Sequence, residues 1–382
     1  MSSAGATKLV SRAGRVDRVA AALVEHELDQ LIVGDLVRPG DTGPDAQVNS
    51  FWLTGFTGTS ALAIVAGERS VFITDVRYAE RAEREVGDNF ERVVAASSAR
   101  LLPELASRLT GRVGYDAGAT SVANLRALEA AIAAAGVEVE LVEADGVVEQ
   151  LRRVKDSGEQ AAMAAAARIV DEAFELVVAE GFVGRTELEL ARAIEGHIRA
   201  QGVEPLLPTL LAAGENTSMP HAAPSARVVG PDQPVIIDAG ALVEGYHSEC
   251  TRTFVTGEVG EEVHANYALI RRAQDAALAA IRPGALVRDV DEAARAVVRD
   301  AGLLDRYGAG LGHGVGLAIH EAPRVWPQGA DALAEGNVVS VEPGLWMPGT
   351  YGVRIEDLVL VSADGPRHLN QVPKELRTVS DS

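Results

Sequence analysis

Residues 234–254, Pro-Val-Ile-Ile-Asp-Ala-Gly-Ala-Leu-Val-Glu-Gly-Tyr-His-Ser-Glu-Cys-Thr-Arg-Thr-Phe, read as a β-hairpin that carries two carboxylates where a plain hairpin would avoid them. Pro234 opens a buried apolar run, Gly245 supplies turn chemistry, and β-branched and aromatic residues return from Tyr246 to Phe254. With Leu242 to Gly245 as the loop, Ala241 faces Tyr246 and Asp238 falls opposite Glu249. Facing Cβ atoms on a hairpin stand about 4.5–5.5 Å apart, and like charges there destabilise the pair. Something positive is expected between them.

A second stretch repeats the arrangement. Asn337-Val-Val-Ser-Val-Glu-Pro-Gly344 runs through a Pro348-Gly349 turn into Gly352-Val-Arg-Ile-Glu-Asp-Leu-Val-Leu360, and pairing around Gly349 sets Glu342 opposite Glu356. Asp238 follows Val235–Ile237 and Glu342 follows Val338–Val341, runs that predict burial on both faces. A buried, unpaired carboxylate is too costly to keep charged, so four together require compensation. With His313, glycine-flanked in Gly312-His-Gly-Val-Gly-Leu-Ala-Ile-His-Glu-Ala-Pro-Arg324, the chain offers ligands for two divalent cations. Oxygen-rich ligation with one imidazole suits Mn²⁺, Co²⁺ or Zn²⁺.

Four of the eight histidines, His221, His247, His313 and His320, flank or sit inside these acidic segments. His320 is placed to donate to a substrate oxygen, and His221 stands on a Pro-flanked loop before the first hairpin. His247 and His264 read as structural. No Gly-x-Ser-x-Gly elbow occurs, and Cys250 has no evident base. A pair of metals about 3.5–4 Å apart can instead acidify a shared water and stabilise an oxyanion, which points to hydrolysis of an acyl or amide bond.

The rest of the chain frames this site. Its 382 residues predict two or three domains, and 47% hydrophobic with 24% charged residues is ordinary for a soluble globular protein. A net charge of −20 argues against a nucleic-acid partner, because such affinity comes from Lys and Arg neutralising phosphates. No apolar run reaches the roughly 18 residues of a membrane helix, and no signal-peptide core precedes Arg12. A cytoplasmic location is the expectation. The single cysteine, Cys250, excludes an intrachain disulfide and reads as a small apolar residue.

From the N-terminus, Arg12–Val37 predicts a helix and then a strand at Leu31–Gly34, and Pro39–Gln47 a loop. Strands at Ala61–Val65, Val71–Thr74, Val113–Tyr115 and Val137–Leu141, with a helix at Asn124–Ala135, give an α/β domain. Gly55, Gly58 and Ser60 form a turn, not a phosphate loop, since no Lys-Ser/Thr follows. Composition shifts around Val147–Glu159, so the domains are taken as 1–147 and 148–382, the second opening with a long helix from Ser157 to Glu180. That second domain repeats internally. Gly181 and Gly284, Ala191–Ala193 and Ala294–Ala296, and strands Pro234–Asp238 and Asn337–Val341 share one offset. A duplicated helix–helix–hairpin unit would bring both acidic hairpins to a pseudo-twofold seam.

These residues resemble the metallopeptidase family of aminopeptidase P, prolidase and methionine aminopeptidase. The resemblance implies an α+β pita-bread catalytic domain. Phe51–Phe56 and Asp75-Val-Arg-Tyr78 are similar to the creatinase-type N-terminal domain of aminopeptidase P and prolidase, which methionine aminopeptidase lacks. Carried over, the likeness implies that Asp238, Glu249, His313, Glu342 and Glu356 ligate two divalent ions, Mn²⁺ first. It implies that His221 and His320 contact substrate, that Glu342 also shuttles a proton, that Arg324 meets a substrate carboxylate and that Arg354 steadies the second hairpin's carboxylates. The implied activity is hydrolysis of the Xaa-Pro bond of proline-containing peptides by a metal-bridging hydroxide, as dipeptidase or aminopeptidase, in a homodimer. One position departs: the family has Asp where this chain has Glu249. A metal-compromised relative that binds peptides is therefore an alternative reading, and a creatinase-like amidinohydrolase another.

Overall fold

Apolar residues at helical spacing put Val16, Val19 and Leu23 on the buried face of helix Arg15–Glu25, and the run Gln30–Val33 follows as a wholly buried strand. The computed structural model describes residues 9–34, 48–67 and 69–379. The expected loop Pro39–Gln47 lies outside them. Contacts divide the chain into two units, Ser11–Arg152 and a catalytic unit of Arg153 onward joined by the N-terminal residues through Val10. Helix Val147–Arg152 thus packs with the N-terminal unit.

That first unit is a six-stranded mixed sheet in the order Phe90–Ala95, Ser70–Asp75, Ala61–Ala66, Gln30–Val33, Gly111–Tyr115, Val139–Glu143. The two strand pairs flanking Ala61–Ala66 are antiparallel and the rest parallel. Ile32, Ile64, Ile73, Leu105, Val113 and Leu128 form its core.

In the catalytic unit, Asp156 and Glu159 form a capping box that starts helix Ser157–Glu180, and Thr186 with Glu189 starts Glu187–Ala200 in the same way. Helices Glu261–Ala280 and Val287–Asp300 make the second pair. Both inter-helix turns use a left-handed glycine, Gly184 and Gly284, each at φ +84°. Behind the first pair, strands Leu210–Ala213, Pro234–Ala239 and Cys250–Val255 run antiparallel around Phe174, Phe182, Ile237 and Phe254. Behind the second, Gly312–Gly314, Val338–Val341 and Asp357–Ser362 do the same around Ile270, Val339 and Val359. The Thr251–Glu356 bridge joins the halves at the seam. Two helix pairs, each backed by an antiparallel sheet, give the twofold layout expected of a pita-bread domain.

The first hairpin's register differs from expectation. Its turn is two residues, Glu244 at φ +49° and Gly245 at +83°, so Val243 faces Tyr246 and Asp238 faces Thr251 rather than Glu249. Two consecutive residues with φ > 0 make the tight turn that matches strand twist, whereas a four-residue loop was assumed. The slip is by two residues, so Asp238 and Glu249 stay on one face. The second hairpin keeps its expected register: Gly344 pairs Arg354 on one side and Val341 pairs Asp357 on the other, bracketing Glu342 and Glu356. Among the described residues no helix is long and apolar enough to cross a membrane.

Candidate active site

A cavity of about 670 Å³ opens in the catalytic unit, and Asp238, Glu249, His313 and Glu342 line it together with His221, His320, Arg324 and Arg354. Glu356 is fully buried beside them. Ligand oxygens of Asp238, Glu249 and Glu356 lie within 4.8 Å of one another. His313 Nε2 stands 3.2 Å from Glu342 Oε1 and 3.8 Å from Glu249 Oε2. All five expected ligands therefore meet, as the diagonal register on one hairpin and the facing register on the other allow.

Their partners are unequal. Glu342 Oε1 accepts from Ser340 Oγ at 3.0 Å as well as facing His313, and Arg354 Nη1 is 4.0 Å from Oε2. Arg354 also donates to Asp238, and its Nε donates to Thr251 Oγ1 at 3.1 Å. Thr251 Oγ1 in turn donates to Glu356 Oε2 at 2.7 Å. Arg354 thus donates directly to Asp238 of the first hairpin, and it touches the second hairpin's carboxylates, which it was expected to steady, only at 4.0 Å from Glu342 and through Thr251 to Glu356. Glu249 Oε2 and Glu356 Oε1 are buried without a hydrogen-bond partner.

Acidities follow from this arrangement. Burial, then the Glu356, Asp238 and Glu342 charges, push the Glu249 carboxyl well above the usual range. Burial and the neighbouring Glu342 and Asp238 do the same to Glu356. Burial raises Asp238 too, against the pull of Arg354. Glu342 goes the other way: burial would raise it, but the hydrogen bond and charge of His313 outweigh that and hold it low. Burial disfavours the His313 imidazolium, yet its hydrogen bond to Glu342 prevails and raises its pKa. Burial, then the His313 charge, lowers His320, whose ring meets that of His313 edge-on at 4.3 Å.

The donor set fits divalent cations. Two orphaned carboxylate oxygens need a positive partner, and buried polar atoms without one are rare. His313 Nδ1 lies 3.1 Å from the Gly314 carbonyl, which can only accept, so Nδ1 carries a proton and Nε2 is the nitrogen that would face a cation. Oxygen ligands with one imidazole suit first-row divalent ions. Glu249 keeps an oxygen in the cluster despite its extra methylene.

Residues 161–363 match the model of metallopeptidase family M24, and residues 15–154 match that of the creatinase/prolidase N-terminal domain. The chain belongs to metallopeptidase family M24. It is 32% identical over 336 residues to the uncharacterized peptidase YqhT of Bacillus subtilis, covering 87% of this chain and 93% of that one. It is 36% identical over 233 residues to the Xaa-Pro dipeptidase of Pyrococcus furiosus, covering 61% of this chain and 67% of that one. Among solved structures, an Xaa-Pro dipeptidase from Bacillus anthracis superposes with a TM-score of 0.88 at 29% identity, over 96% of this chain and all of that one. An X-Pro aminopeptidase from Thermotoga maritima does so at 0.84 and 27%, with the same coverage.

Sequence reasoning about this M24 metallopeptidase missed Thr251 and Ser340, the hydroxyls that hold Glu356 and Glu342. A signal existed for each. Thr251 shares a strand face with Glu249 by alternation, and Ser340 is the one polar residue inside Val338–Val341. The apolar wall of Leu206, Leu210, Trp326 and Trp346 was missed as well.

Proposed function

We propose that this peptidase hydrolyses the Xaa-Pro bond in a metal-dependent reaction and prefers free dipeptides. The carrying observation is the convergence of Asp238, Glu249, His313, Glu342 and Glu356 on one cavity with His221, His320 and Arg324 around it. Those five residues would hold two divalent ions, Mn²⁺ first and Co²⁺ or Zn²⁺ as alternatives. When bound, the ions supply Lewis acidity, acidifying an attacking water and taking up charge that develops on the carbonyl oxygen.

The chain's own groups do the rest. Glu342, oriented by the Ser340 hydroxyl, is the acceptor for the water's proton and returns it to the departing proline nitrogen. His320, exposed on the cavity wall with a lowered pKa, donates as a neutral imidazole to a substrate oxygen, and His221 serves the same wall. Arg354 orients Asp238 and, through Thr251, Glu356. The Arg324 side chain forms no hydrogen bond or ion pair with the described residues, so its guanidinium is available for a substrate carboxylate. That charge favours Ala-Pro over Ala-Pro-Ala. The continued place of Glu249 in the cluster supports an active enzyme over a metal-compromised binder. The same reading extends to a homodimer, as the family resemblance implies, checked by equilibrium sedimentation, and to a cytoplasmic location, checked by cell fractionation.

The test is purified protein stripped of metal and assayed on Ala-Pro and Ala-Pro-Ala with and without Mn²⁺. Loss on stripping, recovery with Mn²⁺ and faster cleavage of Ala-Pro are expected. Activity indifferent to exhaustive stripping rules the reading out.

A further inference from the structure

The stretch Val147–Glu159 marks the change between units, and nothing in the reaction so far uses it. It nevertheless sends one side chain to the cavity loop. Lys155 is 2% exposed, and its Nζ donates to Glu321 Oε1 at 2.7 Å and to the Arg153 carbonyl at 3.3 Å. Glu321 directly follows His320 and faces Gly314 across the strand pair that carries His313. Its other oxygen, Oε2, accepts from the Ala318 amide at 3.4 Å.

The loop from Val315 to His320 is closed by these contacts. His247 N donates to the Gly316 carbonyl at 2.8 Å, which fixes the loop's other limb. Gly316 has no room for a side chain, because a Cβ there would lie 2.5 to 2.9 Å from the Glu321 carboxylate. The Lys155 backbone is hydrogen-bonded on both sides: its amide donates to the Gly336 carbonyl at 2.9 Å, and its carbonyl accepts from Gln160 Nε2 at 2.8 Å. A fully buried ammonium keeps its charge only against a paired acid, so Glu321 cannot turn outward without stranding it. His320, one residue away, inherits that constraint.

We propose that Lys155 and Glu321 are positioning residues for His320, the buried ion pair fixing the loop that holds the imidazole against His313 and the substrate. The inference rests on His320 facing the substrate. A displacement of about 1 Å in such a group costs about a hundredfold in rate, which sets the scale expected on breaking the pair.

The experiment is a cycle on the metal-loaded enzyme assayed with Ala-Pro. Lys155→Met is expected to lower kcat about thirtyfold to a hundredfold with metal content unchanged, and Lys155→Arg to recover at least tenfold of that. In a His320→Ala background, Lys155→Met is expected to cost no more than twofold, since the group it positions is gone. A full loss in that background, or a kcat within threefold of wild type in the single variant, overturns the proposal. Glu321→Gln keeps the shape and removes the charge, so it serves where Lys155→Met does not fold. The His320 Cε1–H resonance, assigned by its absence in His320→Ala, is expected to shift in the Lys155 and Glu321 variants whether or not Ala-Pro is cleaved. An unmoved resonance overturns the inference even if the wild type is an Xaa-Pro peptidase, while a moved one with no cleavage by the wild type faults only the substrate reading.

Discussion

Asp75 in the N-terminal unit and Glu249 in the catalytic unit are both buried carboxylates, and they have opposite surroundings. Asp75 accepts from Ser60 Oγ at 2.9 Å and from Arg77 through its amide and two guanidinium nitrogens. Those bonds, the Arg77 side chain foremost, hold its pKa down at about 2. Glu249 has an orphaned oxygen, three acidic neighbours and a raised pKa. Burial is common to both, so burial alone does not mark a site. What marks it is several buried carboxylates gathered in one place with oxygens left unsatisfied, because a fold gains nothing by crowding like charges unless something else arrives to neutralise them.

The contrast breaks most sharply at Glu356. Glu356→Gln removes a ligand charge, and metal content and activity are both expected to fall, the latter by about a thousandfold or more, as loss of several kcal/mol of transition-state stabilisation implies. Atomic absorption and turnover of Ala-Pro check it; full metal content with full activity would make the cluster structural.

Next come the two chain-length changes. Glu342→Asp withdraws a carboxylate from His313 and Ser340 and is expected to cost about a hundredfold in kcat, in the range of a lost proton-transfer group. Glu249→Asp, at an oxygen with no fixed partner, is expected to stay within about tenfold of wild type and to bind Mn²⁺ more tightly in a titration. Equal losses from both would erase the distinction between the held and the orphaned carboxylate.

Asp75→Ala should leave kcat unchanged and cost about 1–3 kcal/mol of stability, since it frees the buried Ser60 hydroxyl and the Arg77 amide. Urea denaturation followed in parallel with the Ala-Pro assay measures both.

The smallest effect is on pH. The folded pKa of Asp75 lies below its ordinary 3.8, so its stabilisation is full above that value and lost as pH falls toward about 2. Asp171 is raised to about 6, chiefly by burial, so the folded state keeps a proton the unfolded chain releases, and stability declines as pH climbs from about 4 to 6. Asp75→Asn and Asp171→Asn should each flatten their own limb of the stability profile; identical profiles for the two variants would refute the opposite signs.

Much of the candidate site could be read from residue order. Apolar runs broken by single carboxylates located Asp238 and Glu342, and alternation alone put Glu249 on the right face even with the turn misjudged by two residues. The second hairpin's register followed from the Pro348–Thr350 turn, where Gly349 adopts φ +72°. Of the six N-terminal strands five were read, the buried apolar runs most easily, with the last shifted to Val139–Glu143; Phe90–Ala95 was not read, because Glu91 and Arg92 interrupt its apolar run and it is only partly buried. Lys155 was not found, since it acts on a group brought to it by folding and carries no pattern of its own, while Thr251 and Ser340 had local signals but partners that only folding supplies.

The sequence by itself determined which side chains could ligate cations, which strand faces they occupy and that the catalytic unit is built twice over, because periodicity and turn chemistry are local properties. The tertiary structure alone decided that Arg354 reaches Asp238, that Thr251 bridges to Glu356, that Lys155 meets Glu321 across 166 residues of chain and that Glu249 Oε2 and Glu356 Oε1 find no hydrogen-bond partner among the described residues. Those pairings depend on how distant segments close on one another, and the cost or gain of each is fixed by the water that the closed fold excludes.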